Sequence, residues 1–252
     1  MAFGSQKTIG LILVFTAACV ASAETLRWDV RHVSASRKLI GKTRLGTLEF
    51  GEEGLIFQET GKSKKPMRLN VPYREVQQLT LAPERVQLRL YEDSSLWKLG
   101  ADKVFTFDRP KPGGFDALDA FLRPRLEQRL ASAVPHKPAS EPLWSLAVKH
   151  HRGIQGSQGT LRAGKDWISY STEAKGDSRF WRFEDIENVS STSPFELIVT
   201  TYERSRYHHG GFKTFRFQLK ERLSEERYEQ LWKALERGRQ SNILEQYTSK
   251  GN

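Results

Sequence analysis

The side chains whose spacing suggests chemistry in this sequence are clustered cations and paired histidines. Arg37, Lys38, Lys42 and Arg44 lie close together, and so do Lys62, Lys64, Lys65 and Arg68. Cations that converge on one rim bind an anion through charge-assisted hydrogen bonds. Each one held near an anionic membrane adds about 1 kcal/mol. The competing reading is a solvated basic face that keeps a protein soluble. His150-His151 and His208-His209 form the second group. Imidazoles that meet in space hold Zn²⁺ or another transition metal. Adjacent strand residues point to opposite faces, so each pair offers one ligand, and no Cys or spaced carboxylate completes a set. The expectation is no metal and no cofactor, with these four histidines as weak candidates.

Enzymatic signatures are missing from the sequence. It contains no Gly-x-Ser-x-Gly elbow, no phosphate-binding loop ending in Lys-Ser/Thr and no His-Glu-x-x-His. Its single Cys, Cys19, excludes a disulfide framework. The adjacent carboxylates Glu52-Glu53 and Glu184-Asp185 read as solvent-facing charge. The expectation is a protein without catalytic activity. Trp28, Trp144 and Trp232 read as core, whereas Trp181, between Phe180 and Arg182, reads as an edge-strand aromatic that meets a partner.

Positioning these groups requires a fold, and internal repetition supplies the plan. Gly46-Thr47-Leu48-Glu49-Phe50-Gly51 and the following Leu55-Ile56-Phe57 align without gaps on Gly159 to Gly164 and the following Ile168-Ser169-Tyr170. Tyr73 to Leu79 matches Phe183 to Val189, and Lys103 to Phe107 matches Lys213 to Phe217. Each copy opens with a Trp on a strand-like run, Trp28 or Trp144. Alternation of Val86, Leu88 and Leu90 with Gln87, Arg89 and Tyr91 marks a sheet with one buried face. About seven such runs precede a terminal helix in each copy. The first helix carries Phe115, Leu118, Phe121, Leu122 and Leu126, and Pro124 is expected to kink or end it. The second carries Tyr228, Leu231, Trp232 and Leu235 at amphipathic spacing, with Ser224 as its N-cap. The expected division is a leader at 1–23, domains at 24–131 and 143–240, a Pro-rich linker at 132–142 and a tail at 241–252.

Lys7, an apolar run from Ile9 to Ala18 and Ala21-Ser22-Ala23 before Glu24 read as a secretory signal peptide. Cleavage after Ala23 is the expectation, and lipidation of Cys19 is the alternative, since Thr16-Ala17-Ala18-Cys19 is similar to a lipobox. The protein is then exported, periplasmic or extracellular. Of 252 residues, 40 are Lys or Arg and 30 are Asp or Glu. Lys7 leaves with the leader, and two thirds of the remaining excess of +9 falls in the first copy, which is the more basic one. With 38% hydrophobic residues and 11% aromatics the chain is too apolar for disorder, and 28% charged residues are too many for a polytopic membrane protein.

Seven strands and one amphipathic helix, with Gly-x-Leu near the second strand, Leu55-Ile56-Phe57 in the third and Tyr73-Arg74-Glu75-Val76 leading into the next, resemble the pleckstrin-homology-like superfold. The GRAM-like and bacterial PH-like members are the nearest in pattern. The resemblance implies a mainly β protein of two tandem seven-stranded barrels, each capped by its C-terminal helix. In that family loops and sheet edges bind phosphoinositides, peptides or protein surfaces. Lys38-Leu39-Ile40-Gly41-Lys42-Thr43-Arg44 is similar to the family's phosphoinositide pattern, which the second copy lacks. The implied function is a binding or scaffold module of the cell envelope that associates with an unidentified protein. The alternative is binding of an anionic membrane surface or polyanion through the eight loop cations of the first copy. No specific nucleic-acid partner is expected.

Overall fold

The computed structural model describes residues 26–33, 43–94, 102–109, 114–134, 140–152, 155–205 and 211–249. The leader, Arg37, Lys38, Lys42, His208 and His209 lie outside the described residues. The protein is mainly β, with two sheets, one of them curled into a half-barrel. The first sheet contains β1 (Leu26–Val33), β2 (Thr43–Phe50), β3 (Gly54–Glu59), β4 (Arg68–Pro72), β5 (Val76–Ala82), β6 (Arg85–Asp93) and β7 (Asp102–Asp108). Helix α1 (Phe115–Leu126) follows, then a short strand, β8 (Leu130–Ser132). The second sheet contains β9 (Trp144–Arg152), β10 (Gln155–Ala163), β11 (Trp167–Ser171), β12 (Arg179–Arg182), β13 (Ile186–Ser190), β14 (Glu196–Arg204) and β15 (Phe212–Leu219), followed by α2 (Glu225–Ser249).

Strand order is β4-β3-β2-β1-β7-β6-β5-β8 in the first sheet and β12-β11-β10-β9-β15-β14-β13 in the second. Apart from β8, the order is the same twice. Each sheet encloses its own apolar cluster, one around Leu48, Phe50, Leu55 and Phe107, the other around Leu161, Tyr170, Trp181 and Phe217. The alternating side chains of β6 behave as their pattern demands, with Val86, Leu88 and Leu90 buried.

The repeat extends to backbone detail. A Cβ on Gly46 would stand 2.4 Å from the Gln58 carbonyl oxygen and 2.6 Å from the Phe57 ring. One on Gly159 would stand 2.2 Å from the Ser171 carbonyl oxygen and 2.8 Å from the Tyr170 ring. Glycine lets the neighbouring strand and an aromatic ring close over the same point in both sheets. The paired tryptophans are not equivalent, however. Trp28 faces Leu48 across the ladder and corresponds to Leu146, which faces Leu161. Trp144 instead faces Ala163, where the first sheet pairs Leu26 with Phe50. A large residue and a small one have exchanged sides, which conserves volume.

The first sheet has eight strands rather than the expected seven, because the chain leaving α1 turns back. Pro124 sits in the last turn of α1, which ends two residues later, and Glu127 takes a positive φ of 50°. The chain then runs as β8, parallel to the edge of β5, with Leu130 only 1% exposed. Helix α2 has no proline, begins at Ser224, whose Oγ accepts the Arg227 N–H, and runs to Ser249, into the segment read as a tail. Trp232 is a correction: it is 47% exposed rather than core, although Leu231 and Leu235 beside it are buried. No helix among the described residues is long and apolar enough to cross a membrane.

Candidate functional site

Register places the β1–β2, β3–β4 and β6–β7 connections at one end of the first sheet, since Val33 pairs with Thr43, Gln58 with Arg68 and Asp93 with Asp102. Helix α1 lies at the other end, where Phe115 packs edge-on against Trp28. On the loop end, Lys62, Lys64, Lys65 and Arg68 are all exposed, and none forms an ion pair among the described residues. Leu45, whose carbonyl accepts the Thr60 N–H of the same loop, is 61% exposed beside them.

Arg44 departs from this group. It points below the rim, where its guanidinium pairs with Glu59 at 2.5 Å while the Met67 N–H donates to the same carboxylate. That backbone donor and Arg44 hold the Glu59 pKa below its usual range. His32 stands directly across the ladder from Arg44, 7% exposed among the rings of Phe57, Phe105 and Phe107. Burial, assisted by Arg44 and opposed by Glu59, lowers its pKa and keeps the ring neutral. His32 escaped the sequence reading because it is a single His within the alternation of β1. The register match with His150 is the signal that finds it.

His150 occupies the same place in the second sheet, 5% exposed and opposite Ser157, among Tyr170, Phe215 and Phe217. Here the β11–β12 loop folds in, and the Ser157 hydroxyl donates to Asp177 at 2.6 Å. Tyr170 donates to the Ser157 carbonyl at 2.8 Å, and Asp177 lies 3.9 Å from the His150 ring. This is not a nucleophilic triad. The hydroxyl is bonded to the carboxylate rather than to the imidazole, and all of these residues are buried. Each sheet thus seals its loop end with a carboxylate lodged beside a histidine. His151 points outward to Gln218, so one histidine of the pair faces each way, and no group of three potential metal ligands occurs among the described residues.

A second charged cluster joins the two halves, and it overturns the solvent-facing reading of Glu184 and Asp185. Asp119 on α1 is 2% exposed and is held by Arg123 at 3.0 Å and by Arg182 of β12 at 3.1 Å. Arg123 also pairs with Asp185, and Arg182 with Glu184 at 3.4 Å. Two guanidiniums face three carboxylates in a half-buried setting. Burial pushes the Asp185 carboxyl up to about 6, reinforced by Glu184 and Asp119 and opposed by Arg123. Burial works against the Arg123 charge, but the three carboxylates outweigh it and keep the guanidinium protonated. Nearby, the Gln78 amide donates to the Tyr202 carbonyl at 3.3 Å and accepts the Arg204 N–H at 3.1 Å. Trp181 is 2% exposed, against the expectation of an exposed edge aromatic. It packs on Phe215 and lines a small cavity between the halves together with Leu130, Asp185 and Tyr202.

No family model and no curated protein matches the chain. Among solved structures, the C-terminal domain of an unknown protein from Leishmania infantum is similar over 48% of this chain and 98% of its own length, at 15% identity and a TM-score of 0.30. The Spt16D Pob3N heterodimer is similar over 77% of this chain and 95% of the matched one, at 11% identity and a TM-score of 0.32.

Proposed function

We propose that this chain is an exported, non-catalytic binding protein of two PH-like barrels that docks on an anionic surface through the loop end of the first. The recurrence of one strand order with a following helix supports the two-barrel reading, and the leader-like segment supports export. The observation that carries the binding mode is the β3–β4 loop. Lys62, Lys64, Lys65 and Arg68 stand exposed, with no ion pair among the described residues, beside an exposed Leu45, while Arg44 below them is already neutralised by Glu59. Cations flanked by an apolar side chain suit the interface of an anionic bilayer.

Co-sedimentation of the full chain with vesicles of phosphatidylcholine, alone or mixed with phosphatidylglycerol, tests this reading. Binding requires the anionic lipid and weakens with salt. At about 1 kcal/mol per cation, Lys64→Gln with Lys65→Gln lowers the affinity roughly 30-fold. Equal binding to neutral vesicles, or no effect of the double substitution, overturns it. A second reading, association with a protein, is favoured by Tyr91 and Trp232, which are 53% and 47% exposed.

A further inference from the structure

The two halves meet through unlike faces. The first half contributes Gln78, Asp119 and Arg123, and the second contributes Arg182, Glu184 and the backbone of Tyr202 to Arg204. Because the sheets share one plan, each kind of face exists twice apart from β8, which lines the junction and has no counterpart in the second sheet, and the contact within the chain uses one of each. The second half therefore retains a counterpart of the Gln78 and Asp119 face. The first half retains a counterpart of the face that receives it.

Register identifies the residues on these two unused faces. Gln78 follows an irregularity in β5 after Val76, and Asn188, also an amide and exposed, follows the same irregularity in β13 after Ile186. The bulge at Tyr202 to Arg204 in β14 recurs at Tyr91 to Asp93 in β6. Arg182, which faces Trp167, corresponds to Pro72, which faces Gly54, so Glu184 corresponds to Arg74. Burial aligns the helices, Leu118 with Leu231 and Leu122 with Leu235. Asp119 then corresponds to Trp232 and Arg123 to Glu236.

Where the filled interface buries an ion pair, Asp119 with Arg182, the unfilled faces carry an aromatic and a proline, Trp232 and Pro72. Where Arg123 approaches Glu184 at 3.9 Å and pairs with Asp185, they carry Glu236 against Arg74, with the charges reversed, and against Glu75, a second carboxylate. Asp119 is 2% exposed in the filled contact, whereas Trp232 is 47% exposed and Tyr91, at the position of Tyr202, is 53% exposed. At the position of the buried Asp119 the single chain leaves an indole in water.

We infer that a second copy of the chain occupies these faces, with α2 of one molecule against the β4 and β6 face of the next, Trp232 on Pro72 and Glu236 beside Arg74. The contact is head to tail, and repeating it builds a ring or a filament rather than a two-fold dimer. It is independent of the basic loop.

Sedimentation velocity of the full chain carrying Cys19→Ser tests the inference, together with oxidative crosslinking of single-cysteine variants. Glu236→Cys and Glu75→Cys correspond to Arg123 and Asp185, which touch within the chain. The expected results are a sedimentation coefficient that rises with concentration, and crosslinks that form mainly between the two variants when mixed. Trp232→Glu weakens association about tenfold or more while the circular dichroism and thermal midpoint stay unchanged. Lys64→Gln with Lys65→Gln leaves association intact, which separates this contact from the anion site. A monomer at every concentration, association indifferent to Trp232→Glu, or crosslinks only between like variants overturns the proposal.

Discussion

Asp185→Asn isolates the charge imbalance between the two halves. Asp185 has an ordinary value of 3.8 and is pushed up to about 6 in the folded protein. The native state therefore holds an extra proton between these values, and the stability Asp185 contributes is complete below about pH 4 and lost as pH rises through about 6. The shift is about two units at about 1.4 kcal/mol each, so the loss is about 3 kcal/mol. Asparagine keeps the shape and cannot ionise, so the variant lacks this slope. Urea denaturation of both proteins at fixed ionic strength across about pH 4 to 8, with m-values compared, gives the difference profile directly. The stability of the variant relative to the parent is expected to rise by about 3 kcal/mol across the range, with its midpoint between the two pKa values. A difference that stays flat within about 0.5 kcal/mol would refute the claim that burial and the surplus carboxylates outweigh Arg123.

His32 titrates with the opposite sign. Its pKa is lowered in the fold, so its stability is present above about pH 6.5 and lost on acidification. His32→Phe flattens that acid loss, read as a thermal midpoint that changes less between neutral and mildly acidic buffer. Arg123→Met leaves the buried Asp119 short of a partner and costs about 3 kcal/mol or more at neutral pH, measured by urea denaturation. Gly46→Ala and Gly159→Ala each force a methyl against a neighbouring carbonyl and ring, and each destabilises its own half by at least 1–3 kcal/mol, roughly the cost of overpacking. Amide exchange assigns the loss to one half in each case.

Features governed by one sheet alone were legible in the sequence. The gapless match around Gly46 and Gly159 predicts the repeat because a glycine, a following ring and a tight turn must keep their spacing for the ladder to close. The alternation in β6 and the cap at Ser224 are equally local. Some of what failed depends on contacts between halves, and some on how one sheet places a side chain. Trp181 carries the signs of an edge strand, and β12 is an edge strand, yet the indole faces the core of its own sheet against Phe215 and Phe217, and β8 lines a small cavity beside it. Trp232 lies on the apolar stripe of α2 by spacing, yet the sheet covers only the Leu231 and Leu235 side. Glu184 and Asp185 look like surface charge until Arg123 arrives from α1, far off in sequence. Arg44 sits among the loop cations in sequence, whereas strand pleating turns it inward to Glu59.

The pattern of likeness and difference between the halves separates what the fold requires from what docking requires. Several residues internal to a sheet keep their type, His32 and His150, Gly46 and Gly159, Phe107 and Phe217, although Leu26, Trp28 and Phe50 give way to Trp144, Leu146 and Ala163. On the two docking faces Tyr202 and Tyr91 keep their type, whereas Asp119 stands where the other half has Trp232, Arg182 where it has Pro72 and Glu184 where it has Arg74. Solvent alone does not favour this direction of change, since exposing an indole gains nothing and large exposed apolar patches mark interaction sites. Within the chain the second half is tethered beside the first at a high effective concentration, so a polar, imperfectly neutralised contact suffices, and its strength varies with the protonation of Asp185. A contact between separate molecules has no tether and must recover more free energy per residue, which an aromatic on a proline supplies through apolar burial. At the positions of Asp185 and Arg123 it has Glu75, which is exposed, and Glu236, so it rests on the apolar pair rather than on a half-buried carboxyl. Association through Trp232 should therefore change little between about pH 5 and 7.5, a window in which Asp185 ionises, whereas the junction inside the chain loosens. Sedimentation velocity of wild type and Asp185→Asn at both pH values separates the two contacts, and a parallel pH response of assembly and of the internal junction would show that they are one.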